Sequence, residues 1–532
     1  MILQIWTAVL IAVIWLYLHR IYSRFSNYGV KHMRVIPLFG NMLKVIFRRV
    51  HYTADMERSY HSFPNERFIG RYEFLAPTII IRDLELVKMI TIKDFEYFQN
   101  HKTIINENIE PLAGRNLFLL QGQEWKDMRS TLSPAFTSSK IKLMVPFMEE
   151  AGEQMIRALK EQFAASDTGY IDIDCKDLTS RYGGDVIASC AFGLKVDSHA
   201  DPNNQFFEMG KEASAFKMRQ MLLLFALSAY PSAVKKLNLT LFSKDVTNFF
   251  TDIVLTTMKD REARNIVRPD MIHLLMQAKE GKLSYDEKIG NDEQDAGFAT
   301  VKESSIGRKT VTRDWADIDL IAQAMLFFVA GFESVSTVTS FALYELAIHP
   351  DIQERLAKEI KDEHVRNHGK LDFSSIQKMT YLDMVASEVL RLWPPAIALD
   401  RVCTNDYNLG KPNGQVTKDY IVRKGEVIWI PVRCFHLDPK YFANPTIFDP
   451  ERFSDANKHN INPLTYIPFG LGPRNCIGSR FALCEFKMLL YKILLHIEVS
   501  PSKKTRIPAK ISADCFNPRL EGGHWLTFKL RS

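Results

Sequence analysis

One cysteine lies in a stiff loop near the C-terminus of the chain. Between Pro468 and Gly478 this loop contains two prolines, which restrict its backbone, and three glycines, which let it turn tightly and approach a flat ligand. The run that follows Cys476 predicts the start of a helix, where positive potential favours a thiolate over a thiol. A thiolate in such a loop can serve as the fifth ligand of haem iron.

Two simpler interpretations of the loop compete with this one. A lone cysteine is more often a small buried hydrophobe than a ligand, and the Gly-x-Gly pair could open a dinucleotide site. The dinucleotide interpretation fails because the third glycine of that fingerprint is missing. The spacing of Phe469, Gly472, Arg474, Cys476 and Gly478 instead resembles the signature of the cytochrome P450 family of haem-thiolate monooxygenases.

The resemblance implies a fold, a cofactor and a reaction. The expected fold is mainly α with a small β-rich lobe, and the expected cofactor is haem b with Cys476 as its metal ligand. The expected reaction inserts one oxygen atom of O2 into an apolar small molecule. Because we find no flavin or nicotinamide site in the sequence, the electrons must come from a partner.

A second motif lies inside a long helix that the sequence predicts to open near Thr312. A glycine in mid-helix costs about 0.5–1 kcal/mol relative to alanine, so Gly331 requires a reason. The resemblance implies that Gly331 opens a groove for O2, while Glu333 and Ser334 deliver protons. Serine replaces the usual threonine here, and Thr337 one turn away is an alternative hydroxyl. A helix that is bent only for packing remains the structural alternative.

Further residues match the family at single positions. Trp125 and Arg129 lie one helical turn apart, and in the family such a pair binds a haem propionate. Arg401 and Arg474 match two other propionate-binding arginines. The pair Glu388 and Arg391 and the segment around Arg452 match a buried network that serves folding and haem retention, and His436 is taken as structural. Candidates for the pocket wall are Phe118, Phe327, Phe328, Ala396 and Leu399.

The charge and cysteine patterns restrict the partners and the compartment. The net charge of the 532 residues is +6, and residues 1–54 contain seven Lys or Arg and no Asp or Glu. An excess of positive charge that is confined to the N-terminal end indicates binding to a membrane surface rather than to nucleic acid. The seven cysteines are scattered without Cys-x-x-Cys pairs, which favours a reducing compartment and no metal beyond haem iron.

The N-terminal segment predicts three parts of the chain. Residues 1–18 are expected to form an uncleaved membrane anchor, residues 19–41 a basic, proline-containing hinge, and residues 42–532 the catalytic domain. The positive flank after the anchor places the remainder on the cytosolic side, and the resemblance implies the endoplasmic reticulum membrane. Residues 284–310 are expected to form an exposed, mobile connector because they are polar and contain three glycines.

The resemblance also implies partners and leaves rivals open. We expect NADPH-cytochrome reductase, a flavoprotein, as electron donor, with a cytochrome b-type donor as a second option, and membrane lipid at the anchor. The overall sequence is most similar to insect microsomal enzymes of xenobiotic detoxification. A haem-thiolate isomerase or dehydratase acting without a reductase is the first rival function. A non-catalytic membrane-bound carrier of apolar ligands is the second.

Overall fold

The protein is mainly helical, with three small sheets, in the residues that the structure describes. The structure, a computed structural model, describes residues 1–103, 105, 107, 109–214, 218–229, 236, 240–283, 297–309, 313–515 and 517–531. The helices of these residues are α1 (Ile2–Tyr22), α2 (Leu43–Ile46), α3 (Tyr52–His61), α4 (Leu84–Lys88), α5 (Pro111–Gly114), α6 (Gly122–Leu132), α7 (Ser138–Ala164), α8 (Cys175–Phe192), α9 (Gln205–Ser214), α10 (Met218–Ala229), α11 (Lys244–Arg264), α12 (Met271–Lys279), α13 (Asp317–Ile348), α14 (Pro350–Arg366), α15 (Phe373–Lys378), α16 (Thr380–Leu392), α17 (Val432–His436) and α18 (Ser479–His496). The predicted fold class is therefore confirmed.

Helix α13 is the central element of the helical core. Its first turn contains Asp317 and Asp319, and Asp319 Oδ2 accepts a hydrogen bond from the backbone N–H of Ala316 at 2.9 Å, which caps the helix. The helix therefore begins at Asp317, later than predicted, and Thr312 lies outside the described residues. A Cβ at Gly331 would come within 2.6 Å of Ile187 Cδ1, so this glycine permits close packing of α13 on α8.

The largest sheet forms the core of the β-rich lobe. The strands are β1 (Phe68–Glu73), β2 (Ala76–Ile81), β3 (Tyr170–Asp174), β4 (Leu399–Val402), β5 (Tyr407–Gly410), β6 (Tyr420–Val422), β7 (Val427–Ile430), β8 (Ile497–Pro501) and β9 (Trp525–Leu530). The four-stranded sheet has the order β1-β2-β7-β4, with β2 and β7 parallel. Strand β4 of this sheet contains Arg401, which is buried.

Among the residues that the structure describes, two apolar helices are long enough to cross a membrane. They differ in how much of each helix is buried. The N-terminal span, Ile2–Tyr28, has none of its most apolar window buried, whereas the window in α13 is 56% buried. Helix α13 is thus a core helix, while the exposed α1, roughly 30 Å long, has the length of a membrane anchor. The helix extends to Tyr22, four residues past the predicted anchor.

Candidate active site

An apolar cavity of about 610 Å³ lies between α13 and the loop that contains Cys476. Eight of the nine site residues named from the sequence line it: Trp125, Arg129, Gly331, Glu333, Ser334, Phe469, Arg474 and Cys476. The ninth, Arg401, does not line the cavity. Residues from distant parts of the sequence therefore converge on one space, with the cysteine on one wall and the Glu333 motif on another.

The loop holds Cys476 by its backbone. The Cys476 amide donates to the carbonyl of Phe469 at 2.8 Å, and Gly472 has a φ of +69°. A Cβ at Gly472 would lie 1.8 Å from the Thr91 carbonyl oxygen, so only glycine fits at this position. Cys476 itself is exposed to the cavity. The loop thus directs one sulfur into an otherwise apolar space.

The surroundings of Cys476 act on the pKa of its thiol in opposite directions. Burial raises the pKa of this thiol, while the Gly478 amide and Arg129 act in the opposite direction and Glu303 adds to the increase. Burial is the largest of these influences on the pKa of Cys476. A metal ion that coordinates the sulfur deprotonates it outright.

Buried cations gather at one end of the cavity. Arg474 donates to the carbonyls of Gln99 and Leu120 at 2.7 Å, and its guanidinium lies 3.9 Å from the centre of the Trp125 ring. Burial lowers the pKa of Arg474, and the nearby Arg401 lowers it further. The two arginines are thus close enough to repel each other, an arrangement that an anionic group would stabilise.

Arg401 provides a test of whether haem fits this site. Its Nη1 donates to the Asp400 carbonyl at 2.7 Å, but its Nε and Nη2 are buried and have no hydrogen-bond partner among the described residues. Burial lowers the pKa of Arg401 to about 10. Buried donors of this kind require an acceptor, and the carboxylates of haem b would supply one. Cys476 and Arg401 together therefore fit the group.

His101 is a cavity residue that the sequence did not reveal. It lines the cavity, stacks on Phe118 with ring centres 4.4 Å apart, and contacts Asp400 Oδ1 through Nδ1 at 2.9 Å. Burial lowers its pKa despite the contact with Asp400. An isolated histidine in a loop carries no spacing signal, so only the structure could place it beside the arginines.

Arg129 is engaged on two sides. It donates to the Glu303 carboxylate at 2.7 and 3.2 Å, and to the carbonyl and side-chain oxygens of Asn475 at 2.7 and 2.8 Å. The arginine thus lines the cavity while it holds the residue directly before Cys476. Glu303 belongs to the segment predicted to be an exposed connector, and its neighbours Ala299 and Ile306 are buried. Residues 297–309 thus form a connecting loop, as predicted, but the loop is partly buried rather than fully exposed, and residues 284–296 and 310 lie outside the described residues.

The opposite wall contains a second charged group. Glu333 Oε1 lies 3.3 Å from Lys176 Nζ and 3.4 Å from Arg519 Nη2, and Thr337 Oγ1 lies at 3.4 Å. Lys176 Nζ also donates to Thr337 Oγ1 at 3.0 Å. Burial lowers the pKa of Lys176 to about 8. Ser334 Oγ donates to the Ala330 carbonyl at 2.6 Å, so this hydroxyl is bonded within the helix.

A buried ion-pair network supports the cysteine loop. Arg391 donates two hydrogen bonds of 2.7 Å to Glu388, with both side chains fully buried, and Arg452 Nε lies 3.4 Å from Glu388. His436 Nδ1 contacts the Arg391 carbonyl at 3.0 Å, and its Nε2 accepts from the Ile467 amide at 2.9 Å. The network therefore joins α16 to the segment that leads into the loop.

Four of the five pocket-wall candidates line the cavity, namely Phe118, Phe327, Ala396 and Leu399. Phe328 does not. It is fully buried in an aromatic cluster and stacks on Phe332 at 5.4 Å between ring centres. Its assignment to the wall is wrong because neighbouring helix positions point about 100° apart, and Phe327 occupies the cavity side.

A metal ion bound by the sulfur of Cys476 and carboxylates that accept hydrogen bonds from Arg401 would fit both residues, as they do in a haem-thiolate protein. A family model described as Cytochrome P450 matches residues 31–517. The chain therefore belongs to the cytochrome P450 family, binds haem b through a cysteine thiolate, and is a monooxygenase.

Relatives from two insects are similar along almost the whole chain. Cytochrome P450 9e2 of Blattella germanica is 43% identical over 96% of this chain and 94% of its own length. Probable cytochrome P450 9f2 of Drosophila melanogaster is 38% identical over 96% and 95%. Cytochrome P450 6k1 of Blattella germanica is 35% identical over 98% and 95%.

Proposed function

We propose that this monooxygenase oxidises apolar xenobiotics at the endoplasmic reticulum membrane with electrons that a reductase draws from NADPH. The observation that carries the proposal is the cavity, in which Cys476 shares an apolar space with Phe118, Phe327, Ala396 and Leu399. An apolar wall of this kind binds substrates by burial and gives little orientation through hydrogen bonds. Broad acceptance of apolar molecules follows, as detoxification requires.

Each group of cavity residues has a role in the reaction. Haem b, bound through Cys476, supplies the activation of O2. Its carboxylates would be held by Arg401, Arg474, Trp125 and Arg129. The apolar wall excludes water from the reacting centre.

Proton delivery is assigned to the other wall. Glu333 holds a proton-exchanging carboxylate one helical turn from Thr337, and Ser334 presents a second hydroxyl to the cavity. Arg519, whose side chain is 42% exposed, connects Glu333 to solvent. Because Arg519 lies between Glu333 and solvent, water beside Arg519 can exchange protons with the Glu333 carboxylate, which lies within reach of the Thr337 hydroxyl.

Electron supply and location are proposed from the N-terminal features. Helix α1 anchors the chain in the endoplasmic reticulum membrane, and the basic residues that follow it keep the catalytic domain on the cytosolic side. A membrane-bound flavoprotein, NADPH-cytochrome reductase, is the electron donor, with a cytochrome b-type protein as an accessory donor.

The test has two stages. The reduced, membrane-expressed protein should give the strongly red-shifted Soret band of thiolate-ligated haem with carbon monoxide. With reductase and NADPH it should then convert apolar test compounds to products that carry one oxygen atom from labelled O2. Conversion of a lipid hydroperoxide without NADPH, and no reductase-driven oxidation, would support the isomerase or dehydratase instead. Absence of bound haem would favour the carrier.

A further inference from the structure

A short segment lies against the base of the Cys476 loop. We call residues 297–309 the proximal strap. At one end the Phe298 amide donates to Asp383 Oδ2 at 3.0 Å, and the Phe298 ring packs on Phe453 and Tyr466 with ring centres 5.2 and 5.5 Å apart. The strap is therefore tied to α16 and to the polypeptide that leads into the loop.

The other end of the strap is tied to α6. The Ser130 hydroxyl donates to the Lys309 carbonyl, and Ile306 is buried. Gly307 of the strap packs closely against Ser133, the residue that follows α6. A Cβ on Gly307 would lie 2.6 Å from Ser133 Oγ and 2.4 Å from Glu303 Oε1. The strap is therefore held at one end by α16 and at the other end by α6.

The middle of the strap reaches the haem-binding residues directly. Asn475 Nδ2 donates to the Lys302 carbonyl at 2.8 Å, and Glu303 accepts two hydrogen bonds from Arg129. Arg129 in turn donates to both oxygens of Asn475. Arg129 thus links Glu303 of the strap to Asn475, the residue directly before Cys476.

Glu303 also fixes the charge beside the cysteine. The Arg129 side chain is 3% exposed and the Glu303 side chain 14%, so solvent screens this ion pair weakly. Without Glu303, Arg129 would lose its only ion-pair partner among the described residues, and one negative charge near the metal ligand would be removed. Nearby charge and hydrogen bonding are among the factors by which a protein sets the reduction potential of its haem.

We propose that the proximal strap positions the haem site, with its docked ends holding the Cys476 loop in place and Glu303 lowering the reduction potential of the iron. The proposal rests on haem ligation by Cys476 and adds Glu303 and Phe298 as positioning residues. A carboxylate near the iron stabilises the ferric form, which carries one more positive charge than the ferrous form. The electrostatic role and the clamping role can be tested on different residues, because Glu303 is charged and Phe298 is not.

The experiment uses the full-length, haem-loaded protein. Reduction potentials are measured by spectroelectrochemistry, and haem loss is followed by transfer to an excess of haem-free myoglobin. The variants are Glu303→Gln, Glu303→Asp and Phe298→Ala. Asp455→Asn is the control for net charge, because Asp455 is 81% exposed and pairs only with the exposed Lys458 among the described residues.

The expected results differ between the variants. Glu303→Gln should raise the reduction potential, Glu303→Asp should restore most of the native value, and Asp455→Asn should leave it unchanged. Phe298→Ala should keep the native potential but lose haem about tenfold faster, which corresponds to about 1.4 kcal/mol.

Three outcomes would overturn the proposal in different ways. A native potential in Glu303→Gln removes the electrostatic role, and native haem loss in Phe298→Ala removes the clamping role. Slower haem loss in Glu303→Gln would mean that Glu303 competes with the haem for Arg129. A native protein whose carbon monoxide complex lacks the thiolate band would contradict the proposed function itself, and this is measured before any variant is compared.

Discussion

The two walls of the cavity are built in opposite ways. On the Cys476 side, Arg129 and Arg391 make hydrogen bonds of 2.7–2.8 Å to carboxylate and amide oxygens, and these side chains are buried. On the α13 side, Glu333 meets Lys176 and Arg519 only at 3.3–3.4 Å, and Arg519 is partly exposed. We call the first side the closed wall. We call the second the open wall, because its buried and loosely paired Glu333 is linked to solvent by the partly exposed Arg519.

The chemistry of each wall explains the difference. A metal ligand must hold one geometry throughout the reaction, and buried charge pairs with full hydrogen bonding provide that. A proton donor must exchange protons with solvent and change its partner, which short, buried ion pairs would prevent. The comparison predicts that substitutions on the closed wall remove haem or the fold, whereas substitutions on the open wall change how efficiently oxygen is used.

The largest expected effect on the closed wall comes from Cys476→Ser. A hydroxyl does not donate electron density as a thiolate does, so the red-shifted carbon monoxide band should disappear and NADPH-driven oxidation should stop. The spectrum of the reduced protein checks the first effect and product analysis the second. Cys190→Ser, which changes another cavity cysteine, is the matched control and should keep the band. Retention of the band in Cys476→Ser would exclude this residue as the ligand.

The second largest effect, a loss of stability, is expected from Glu388→Gln. Removing the charge of Glu388 leaves Arg391 fully buried without its ion-pair partner, which costs about 3–5 kcal/mol for pairs of this kind. The loss of stability is measured by thermal unfolding, and the haem content of the variant is measured alongside it. Glu354→Gln breaks an ion pair with Arg531 in which Glu354 is 70% exposed, and should cost only about 0.2–1 kcal/mol. Equal losses in the two variants would contradict the closed character of this wall.

The sequence predicted the closed wall better than the open one. Cys476, Arg474 and the pair Glu388–Arg391 lie in short motifs, so neighbouring residues report their roles. Lys176 meets Glu333 only because α8 packs against α13 at Gly331, and no local pattern encodes a contact between two distant helices.

The proximal strap and Arg401 show the same limit of prediction from local sequence patterns. A polar, glycine-containing stretch predicts an exposed connector, yet residues 297–309 dock because Phe298, Ala299 and Ile306 find apolar partners that are distant in sequence. Arg401 matched its motif, but its two buried donors without partners became visible only in three dimensions.

The third effect tests the open wall through Lys176→Met and Lys176→Arg. Burial lowers the pKa of Lys176 to about 8, so the lysine is charged below this pH and loses its proton above it. The fraction of NADPH lost as hydrogen peroxide should therefore rise in the native protein as pH increases through about 8. Lys176→Arg, which stays charged, should show a flat profile, and Lys176→Met should show high peroxide at every pH.

Other groups face Lys176 and must be considered in this test. Arg519 and Asp174 are charged neighbours, and burial lowers the pKa of His524 to about 3, so His524 does not titrate in this range. Peroxide is measured per NADPH at each pH, with reductase from one preparation and Glu354→Gln as the surface control. A native profile that follows the Lys176→Arg profile would contradict a role for the charge of Lys176.

The smallest effect is expected from Ser334→Ala compared with Thr337→Val. The Ser334 hydroxyl already donates to the Ala330 carbonyl, whereas Thr337 Oγ1 accepts from Lys176 and lies within 3.4 Å of Glu333. Both variants should release more peroxide per NADPH, but the increase should be larger for Thr337→Val, because this variant interrupts the contacts between the carboxylate and the lysine. A larger increase for Ser334→Ala would place proton delivery at the position of the usual threonine. The loosely paired wall would then act through a hydroxyl that changes its hydrogen bond during the reaction.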